Sequence, residues 1–379
     1  MRAAALLKLA ANLRADDIVT AFGLERVTPI GVLAEEKPMP VSLNRRQTLL
    51  GLGAIGAASA FSAPALARTQ RNLAVLHLGS HAPSFIAWER GYFKDAGIDL
   101  NLQFFEAAQP MAVAIASGDA DFGVTAMTGG LISLAQKDAV KVIGGALIER
   151  PGSPGSVILA SNKAYEDGLT DPSRLEGRSF GITTAGSSFH FMAHKIAQAT
   201  GQDLSKIDLR PLQKLGSLVG ALSTGQIDAW AIQPSIAAKL LADGTVKQIG
   251  TIADVAPNYQ VTTAFTSTKN ASGEPELVKA FVAAYSRAIA DYNAAFIDRT
   301  ADQAEIDALA AIVHKYVETD SEAEVAKANL IVGAQRINEG LAMAVDSIVE
   351  QLEWYKAEGM VDPTVTREQL IDTSFVETV

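Results

Sequence analysis

Short strand-like segments alternate with helical segments along the chain, and the alternation occurs twice at a spacing of 107 residues. Positions 107 residues apart carry the same or similar residues. The pairs are Gly79-Ser80 and Gly186-Ser187, Leu102 and Leu209, Ile115 and Leu222, Gly118 and Gly225, Asp121 and Asp228, and Val142 and Ile249. In each copy a helix ends at a glycine, which can adopt φ > 0, and the next strand opens at an aspartate. The sequence therefore predicts two similar lobes.

Alternating strands and helices of this kind are typical of an α/β protein with mostly parallel strands. The predicted strands are Leu73–Leu78, Leu100–Phe105, Asp121–Thr125, Val140–Gly144, Ser179–Thr183, Ile207–Leu212, Asp228–Ile232 and Val246–Ile252. The helices predicted between them are Ser84–Ala96, Gln109–Ser117, Gly129–Lys137, Ser187–Thr200, Gly216–Ser223 and Pro234–Ala242. After one more strand at Val261–Ser267, only helices are predicted, at Glu274–Phe296, Ala301–Val317, Glu322–Val332 and Ile337–Gly359.

Two connections predict where the chain passes between the lobes. One is the Pro- and Gly-rich stretch 151–155, and the other is marked by Pro257 and Tyr259. Two segments that pass between the lobes would form a hinge. Movement about this hinge would open and close a cleft between the lobes. We expect lobe 1 to comprise residues 68–158 plus 262–379, including the helical C-terminal tail, and lobe 2 to comprise residues 159–261.

Residues 1–67 are expected to form an export signal region. Asn44-Arg45-Arg46-Gln47-Thr48-Leu49-Leu50 precedes an apolar, Gly/Ala-rich run at 51–61, and Ser62-Ala63-Pro64-Ala65-Leu66-Ala67 is typical of a cleavage site, here after Ala67. The paired arginines resemble a twin-arginine signal, but Thr48 stands where that pattern prefers phenylalanine, so twin-arginine and Sec export both stay open. Both routes predict a periplasmic protein.

The start of translation is also open. Met39 lies six residues before Arg45 and is a candidate start, in which case residues 1–38 are not translated.

Composition narrows the possible functions. The chain has no cysteine, which excludes disulfides, thiolate metal sites, thiol nucleophiles and an N-terminal lipid anchor on cysteine. A net charge of −10 gives no long-range attraction for nucleic acid or anionic lipid. After residue 67 no stretch is long and apolar enough to span a bilayer, so no membrane insertion of the mature chain is expected.

Two repeat-related loops are the predicted ligand site, because open α/β sheets bind ligands beyond the carboxyl ends of their strands. They are residues 79–85 and 183–190. In the second loop Gly186 allows close backbone approach, while Ser187 and Ser188 open a helix whose free N–H groups and dipole favour an anion. A sulfonate, nitrate or carboxylate could bind there without Lys or Arg. Either serine could instead cap the helix.

Further candidates follow from the other strand ends. Thr125–Thr128 ends the strand that opens at Asp121, and its repeat-mate Ile232–Ser235 offers the Gln233 amide; capping is again an alternative for Thr128. The predicted ligand-binding residues are Ser80, His81, Ser84, Thr125, Met127, Thr128, Gly186, Ser187, Ser188, His190 and Gln233.

No catalytic, metal or cofactor site is predicted. His190 and His194 lie one helical turn apart, but no neighbouring ligand completes a metal site. The nucleophile elbow, the His-Glu-x-x-His motif and the phosphate-binding loop are all missing from the sequence. We therefore expect a binding protein without a cofactor rather than an enzyme.

The sequence resembles a known family, the nitrate/sulfonate/taurine and thiamine-pyrimidine-type periplasmic substrate-binding proteins of ABC importers. The matching stretches lie in order between residues 72 and 262. They are Trp88-Glu89-Arg90-Gly91-Tyr92-Phe93-Lys94-Asp95-Ala96-Gly97-Ile98, Ala116-Ser117-Gly118-Asp119-Ala120-Asp121-Phe122-Gly123, Leu175-Glu176-Gly177-Arg178-Ser179-Phe180-Gly181, Gly186-Ser187-Ser188-Phe189-His190 and Gly225-Gln226-Ile227-Asp228-Ala229.

The resemblance implies a two-lobe type II periplasmic binding fold with two crossovers, lobe closure on one ligand, and docking of a monomer on the transmembrane subunits of an ABC permease. The ligand does not carry over. Thiamine-pyrimidine binders are expected to have more aromatic and acidic residues than Ser80-His81-Ala82, which favours a small anion. A pyrimidine or thiamine-precursor binder, a TRAP-type importer subunit and an enzyme that works without cysteine are the alternatives.

Overall fold

A computed structural model describes residues 70–379. The predicted export signal, its cleavage after Ala67 and the alternative start at Met39 lie outside the described residues. The ten strands of the described part form two sheets of five. They are β1 (Arg71–Val75), β2 (Leu100–Phe104), β3 (Phe122–Ala126), β4 (Val140–Gly145), β5 (Val157–Ser161), β6 (Ser179–Ile182), β7 (Asp208–Pro211), β8 (Ala229–Ile232), β9 (Val246–Thr251) and β10 (Thr262–Ser267).

The two sheets share one strand plan. The first has the order β2-β1-β3-β10-β4, and the second has the order β7-β6-β8-β5-β9. In each sheet the fourth strand in this order, β10 or β5, runs antiparallel to both neighbours, while the pairs among the first three are parallel. Each antiparallel strand comes from the other side of a crossover, so each sheet is completed by chain that has just left its partner sheet.

Helices cover the sheets. They are α1 (Ala82–Glu89), α2 (Tyr92–Asp95), α3 (Ala108–Ser117), α4 (Gly129–Gln136), α5 (Asn162–Glu166), α6 (Ser188–Thr200), α7 (Leu215–Ser223), α8 (Pro234–Ala242), α9 (Ile252–Val255), α10 (Thr268–Gly273), α11 (Pro275–Tyr292), α12 (Gln303–His314), α13 (Ala323–Gly333), α14 (Val345–Ala357) and α15 (Arg367–Leu370). Phe281 of α11 stacks on Phe122 of β3 at 4.0 Å and anchors the C-terminal helices to the first sheet. Between residues 70 and 379 no helix meets the length and apolarity that a membrane crossing requires.

The 107-residue repeat is confirmed by matching hydrogen bonds. Asp121, just before β3, accepts the backbone N–H of Asn72 at 2.8 Å, and Asp228, just before β8, accepts that of Ser179 at 2.7 Å. Asn72 and Ser179 are themselves 107 residues apart. In both copies the carboxylate therefore ties the start of one central strand to the start of its neighbour, which explains why an aspartate occurs there.

The crossovers lie where the sequence predicts them. The chain leaves the first sheet after β4 and returns before β10, and the two passing segments pair with each other. The N–H of Glu149 donates to the carbonyl of Tyr259 at 2.9 Å, the N–H of Asn258 donates to the carbonyl of Glu149 at 2.8 Å, and Ile148 bridges Gln260 in antiparallel register. The predicted lobe boundary after residue 158 falls inside β5, and the boundaries themselves stay a prediction.

Three local predictions differ from the structure. The buried run Val157–Ser161 is a strand that the sequence reading missed, because a short apolar run after a Pro/Gly stretch has no alternation to reveal it. The predicted helix Ser84–Ala96 is divided into α1 and α2. The predicted helix Ile337–Gly359 begins only at Val345, because Ile337 and Met343 form isolated bridges with Leu147 and Thr378.

Replacing Asp228 by alanine tests the repeated aspartate bond. The variant leaves the half-buried N–H at the start of β6 without its acceptor, so we expect the free energy of unfolding to fall by about 1–3 kcal/mol. Urea denaturation measures this value. Asp243→Ala, at an exposed helix end without a side-chain hydrogen bond, is the matched control and should change it by less than about 0.5 kcal/mol. Equal effects of the two substitutions would contradict the role assigned to Asp228.

Candidate functional site

A partly enclosed cavity of about 70 Å³ lies at the carboxyl ends of the strands, lined from both sheets and from both crossovers. The first-sheet side provides Leu76, Leu78, Ser80, His81, Ala107, Ala108, Thr125 and Ala126. The second-sheet side provides Thr183, Ser187, Ser188, Phe189, Met192, Leu215, Ile232 and Gln233, and the crossovers provide Leu147, Ser156, Val261 and Thr262. A cavity of this volume is large enough for more than a single water and suits a small molecule.

A larger groove of about 1060 Å³ runs along the outer strand β2, with Trp88, Phe104 and Tyr316 among its lining residues. The groove is open to solvent and contains none of the predicted ligand-binding residues. Because recognition of a small polar molecule requires its removal from water, the less open cavity is the better candidate site.

Ser187 presents an unpartnered donor at the N-terminus of α6. Its side chain is only 3% exposed, it makes no capping bond to the helix, and its hydroxyl has no hydrogen-bond partner in the described part of the chain. The backbone N–H groups of Ser188 and Phe189, the first two of α6, also have no acceptor among residues 70–379. Three donors without a partner therefore belong to residues that line the cavity at the positive end of a helix dipole.

Gln233, after β8, provides a fourth donor. Its side chain is 7% exposed, and its Nε2 is buried without a partner in the described structure. Its Oε1 accepts the backbone N–H of Ser80 from the first-sheet side at 3.2 Å.

His81 is a neutral donor. Its Nδ1 accepts the backbone N–H of Leu76 at 3.3 Å, so the ring proton belongs on Nε2. Burial, and to a smaller extent the charge of His77, lowers the pKa of His81 to about 3. The imidazole is therefore uncharged at neutral pH, and the cavity lining contains no Asp, Glu, Lys or Arg.

Six of the eleven predicted site residues line this cavity: Ser80, His81, Thr125, Ser187, Ser188 and Gln233. Three others are used by the first sheet and its helices. Ser84 is buried against the Tyr285 hydroxyl at 3.0 Å, and Met127 is fully buried in the core. Thr128 caps α4 by accepting the N–H of Leu131 and donates to Gln109, so the capping alternative describes it.

The remaining two predicted residues, Gly186 and His190, stabilise the loop before α6 and do not contact the cavity. The Gly186 carbonyl accepts the N–H of Gly129 from the opposite side at 2.9 Å, and the Gly186 N–H donates to His190 Nδ1 at 3.2 Å. Burial, followed by the charge of His194, lowers the pKa of His190 to about 4, and its ring meets Trp354 edge-on at 5.2 Å. Neither residue lines the cavity. Within residues 70–379 no group of three or more potential metal ligands occurs.

The sequence reading missed most of the apolar lining and the bracing by α14. Phe189 and Met192 could have been found, because they follow Ser188 on the cavity side of α6. The packing of α14 against α6 cannot be predicted from the sequence near either helix. Trp354 of α14 packs on Phe191 and His194 at 5.1 Å each, and Glu350 pairs with Lys195 at 2.7 Å. The C-terminal helices therefore hold α6 from outside.

Comparison with known protein families shows which family this chain belongs to. The family model described as NMT1/THI5 like matches residues 79–295, more than half of the chain. This chain belongs to the NMT1/THI5-like family. Sequence comparison with curated proteins finds no significant match.

Solved structures with the same fold include several periplasmic binding proteins. The alkanesulfonate-binding protein SsuA from Xanthomonas axonopodis pv. citri, bound to MOPS, has a TM-score of 0.63 at 15% identity, over 79% of this chain and 97% of that chain. The aliphatic sulphonate-binding protein SsuA from Escherichia coli has a TM-score of 0.62 at 15% identity, over 82% and 93%. The nitrate-binding protein NrtA from Synechocystis PCC 6803 has a TM-score of 0.62 at 12% identity, over 79% and 84%. This NMT1/THI5-like chain thus has the predicted periplasmic binding-protein fold.

Replacing His81 by asparagine tests the neutral histidine. Because the folded-state pKa is about 3 and the ordinary value is 6.5, the unfolded chain binds the extra proton first, and stability falls as the pH drops below 6.5. Between pH 7 and pH 5 this residue should account for about 2 kcal/mol of that fall. Asparagine can accept the Leu76 N–H without titrating, so the pH dependence of the free energy of unfolding, measured with urea, should become flatter. The exposed Ser217→Ala control, which changes no titratable group, should keep the wild-type slope. An unchanged slope for His81→Asn would disprove the assignment.

Proposed function

We propose that this protein is the extracytoplasmic solute-binding component of an ABC importer and that it captures a small anion in the cavity described above. A sulfonate, nitrate or carboxylate is the proposed ligand class. Family membership and the fold support a binding role, and the cavity chemistry supports the ligand class.

The observation that carries the proposal is the set of unpartnered donors. The Ser187 hydroxyl and the Gln233 amide nitrogen are both more than nine-tenths buried in side chains that line the cavity, and neither has an acceptor in the described structure. A buried donor without a partner costs about 1–3 kcal/mol. A ligand with several acceptor oxygens would give both donors a partner and so remove both penalties. It would also accept hydrogen bonds from the free N–H groups at the start of α6.

Cavity size and lining narrow the ligand further. A cavity of about 70 Å³ suits a compact ligand such as nitrate, propionate or ethanesulfonate better than a bulkier substituted pyrimidine. Leu76, Leu147, Ile232 and Val261 give the cavity an apolar wall, which favours an anion that carries a short alkyl group over nitrate.

The lining also favours binding without chemistry. The only ordinary acid–base group in it is His81, which burial keeps neutral down to a pH of about 3. Export to the periplasm, docking of a monomer on permease subunits and closure of the two lobes complete the proposal. They rest on the family resemblance, together with the signal pattern for export.

A thermal-shift screen tests the ligand class. The purified protein is heated with ethanesulfonate, propionate, nitrate or hydroxymethylpyrimidine, each at the same concentration. A ligand present at 100 times its Kd should stabilise the protein by about 2.7 kcal/mol. We expect ethanesulfonate and propionate to raise Tm more than nitrate does, and hydroxymethylpyrimidine to leave it unchanged. A shift with the pyrimidine alone would support the precursor-binding alternative and refute the anion.

Ser187→Ala tests the helix-end donor. Losing a charge-assisted hydrogen bond should weaken ethanesulfonate binding by about 1–3 kcal/mol, or roughly 5- to 150-fold in Kd, measured by calorimetry. Ser217→Ala, at an exposed position in α7, is the control and should leave Kd unchanged. If the two variants bind ethanesulfonate equally well, the end of α6 is not the anion site.

A further inference from the structure

The two ends of the Gln233 amide have different surroundings. Oε1 accepts the N–H of Ser80 at 3.2 Å, and Ser80 belongs to the loop after β1 on the first-sheet side. Nε2 is buried, has no partner among residues 70–379, and belongs to a side chain that lines the cavity. One side chain therefore touches both the opposite side of the molecule and the cavity.

The orientation of this amide is fixed by chemistry. A backbone N–H can bond to the oxygen of a Gln side chain but not to its NH2 group, so the Ser80 contact requires Oε1 to face Ser80. The NH2 group must then lie at the other end of the amide plane. While the Ser80 bond exists, the Nε2 end of Gln233 presents a donor and not an acceptor.

The backbone makes this contact possible on both sides. Gln233 occupies the extended position between β8 and α8, and Pro234, the first residue of the helix, restricts the backbone of Gln233 to extended conformations. On the opposite side Gly79 approaches closely: a Cβ there would lie 3.4 Å from the Ser235 Oγ and 3.9 Å from Gln233 Oε1. The short loop at Gly79-Ser80 thus brings the backbone N–H of Ser80 within hydrogen-bond distance of the Gln233 side-chain amide.

We propose that Gln233 couples ligand recognition to closure of the two lobes, with Nε2 donating to the ligand while Oε1 accepts the Ser80 N–H. The inference rests on the proposed function and adds a selection rule to it. A ligand that presents an acceptor to Nε2 leaves the Ser80 bond intact. A ligand that presents a donor at the same place requires the amide to turn over, which puts NH2 against the Ser80 N–H and breaks the closed contact.

The coupling is reciprocal. A ligand bound to the open second lobe holds the amide with Oε1 turned toward Ser80, so less conformational freedom remains to be lost when the lobes close. Closure in turn aims Nε2 at the ligand. Gln233 is therefore a specificity-determining residue that also makes a hydrogen bond to the opposite lobe.

Two variants separate the two ends of the amide. Gln233→Met removes donor and acceptor at similar size, and Gln233→Glu, studied at pH 8, keeps an acceptor for Ser80 but offers the cavity no donor. Lobe separation is measured by energy transfer between dyes on Glu106→Cys and Lys214→Cys. These two exposed positions follow β2 and β7, and labelling is specific because the chain has no other cysteine. Calorimetry with ethanesulfonate gives the affinity.

In the ligand-free proteins we expect a larger mean separation for Gln233→Met than for the wild type, and a wild-type separation for Gln233→Glu. We expect both variants to bind ethanesulfonate about tenfold or more weakly. Equal separations in all three ligand-free proteins would overturn the coupling, and so would a Glu variant as open as the Met variant. Wild-type affinity in either variant would overturn the donor role of Nε2.

Failure of the proposed function has a different signature. If the wild-type protein binds none of ethanesulfonate, propionate and nitrate, the anion proposal fails and the recognition half of this inference fails with it. The ligand-free comparison of the same three proteins still decides whether the Gln233–Ser80 contact holds the lobes together.

Discussion

The pairing of the two crossovers is the constraint on which the site depends. Residues 146–156 and 252–261 run side by side, joined by the backbone bonds of Glu149 with Tyr259 and Asn258, and Gln260 donates its side-chain amide to the Leu147 carbonyl at 3.0 Å. This pairing holds the carboxyl ends of both sheets toward one cavity and lets Leu147, Ser156, Val261 and Thr262 line it. Burial raises the pKa of the Glu149 carboxyl, and the Ser156 N–H compensates by donating to it at 3.0 Å.

A cavity built from neutral donors has a particular energetic character. An unpaired arginine in the same place would carry a far larger desolvation penalty than an unpaired hydroxyl or amide, and would bind any anion strongly. Ser187, Gln233, His81 and the end of α6 instead leave a modest cost that a ligand with matching acceptors removes. In the proposed function, discrimination would then depend on the positions and number of acceptors in the ligand, and the apolar wall would add a preference for the rest of the ligand.

Patterns local in sequence predicted most of the fold, and the site only in part. The repeat, nine of the ten strands in residues 70–379 and both crossovers followed from alternation and from glycine and proline, whereas β5 lacked any alternation. Ser187 and Thr128 look alike in the sequence, as hydroxyl residues before a helix, yet Thr128 caps its helix and Ser187 does not. Ser84 and His190, which the sequence predicts at the ligand, instead contact Tyr285 and Trp354, which are more than 150 residues away in the chain. Contacts at such separations leave no trace in a single sequence.

The duplication also explains how two equivalent loops acquire different roles. Gly79-Ser80 and Gly186-Ser187 occupy matching places after β1 and β6. The α6 that follows the second loop is long and supplies free N–H groups and an unpartnered serine hydroxyl, which suits a ligand. The first loop continues through a three-residue turn, Gly79–His81, and its free backbone N–H meets Gln233 from the opposite sheet. In the proposed function the second copy therefore supplies most of the donors for a ligand and the first copy supplies the contact across the cleft, and Gln233 lies where the two meet.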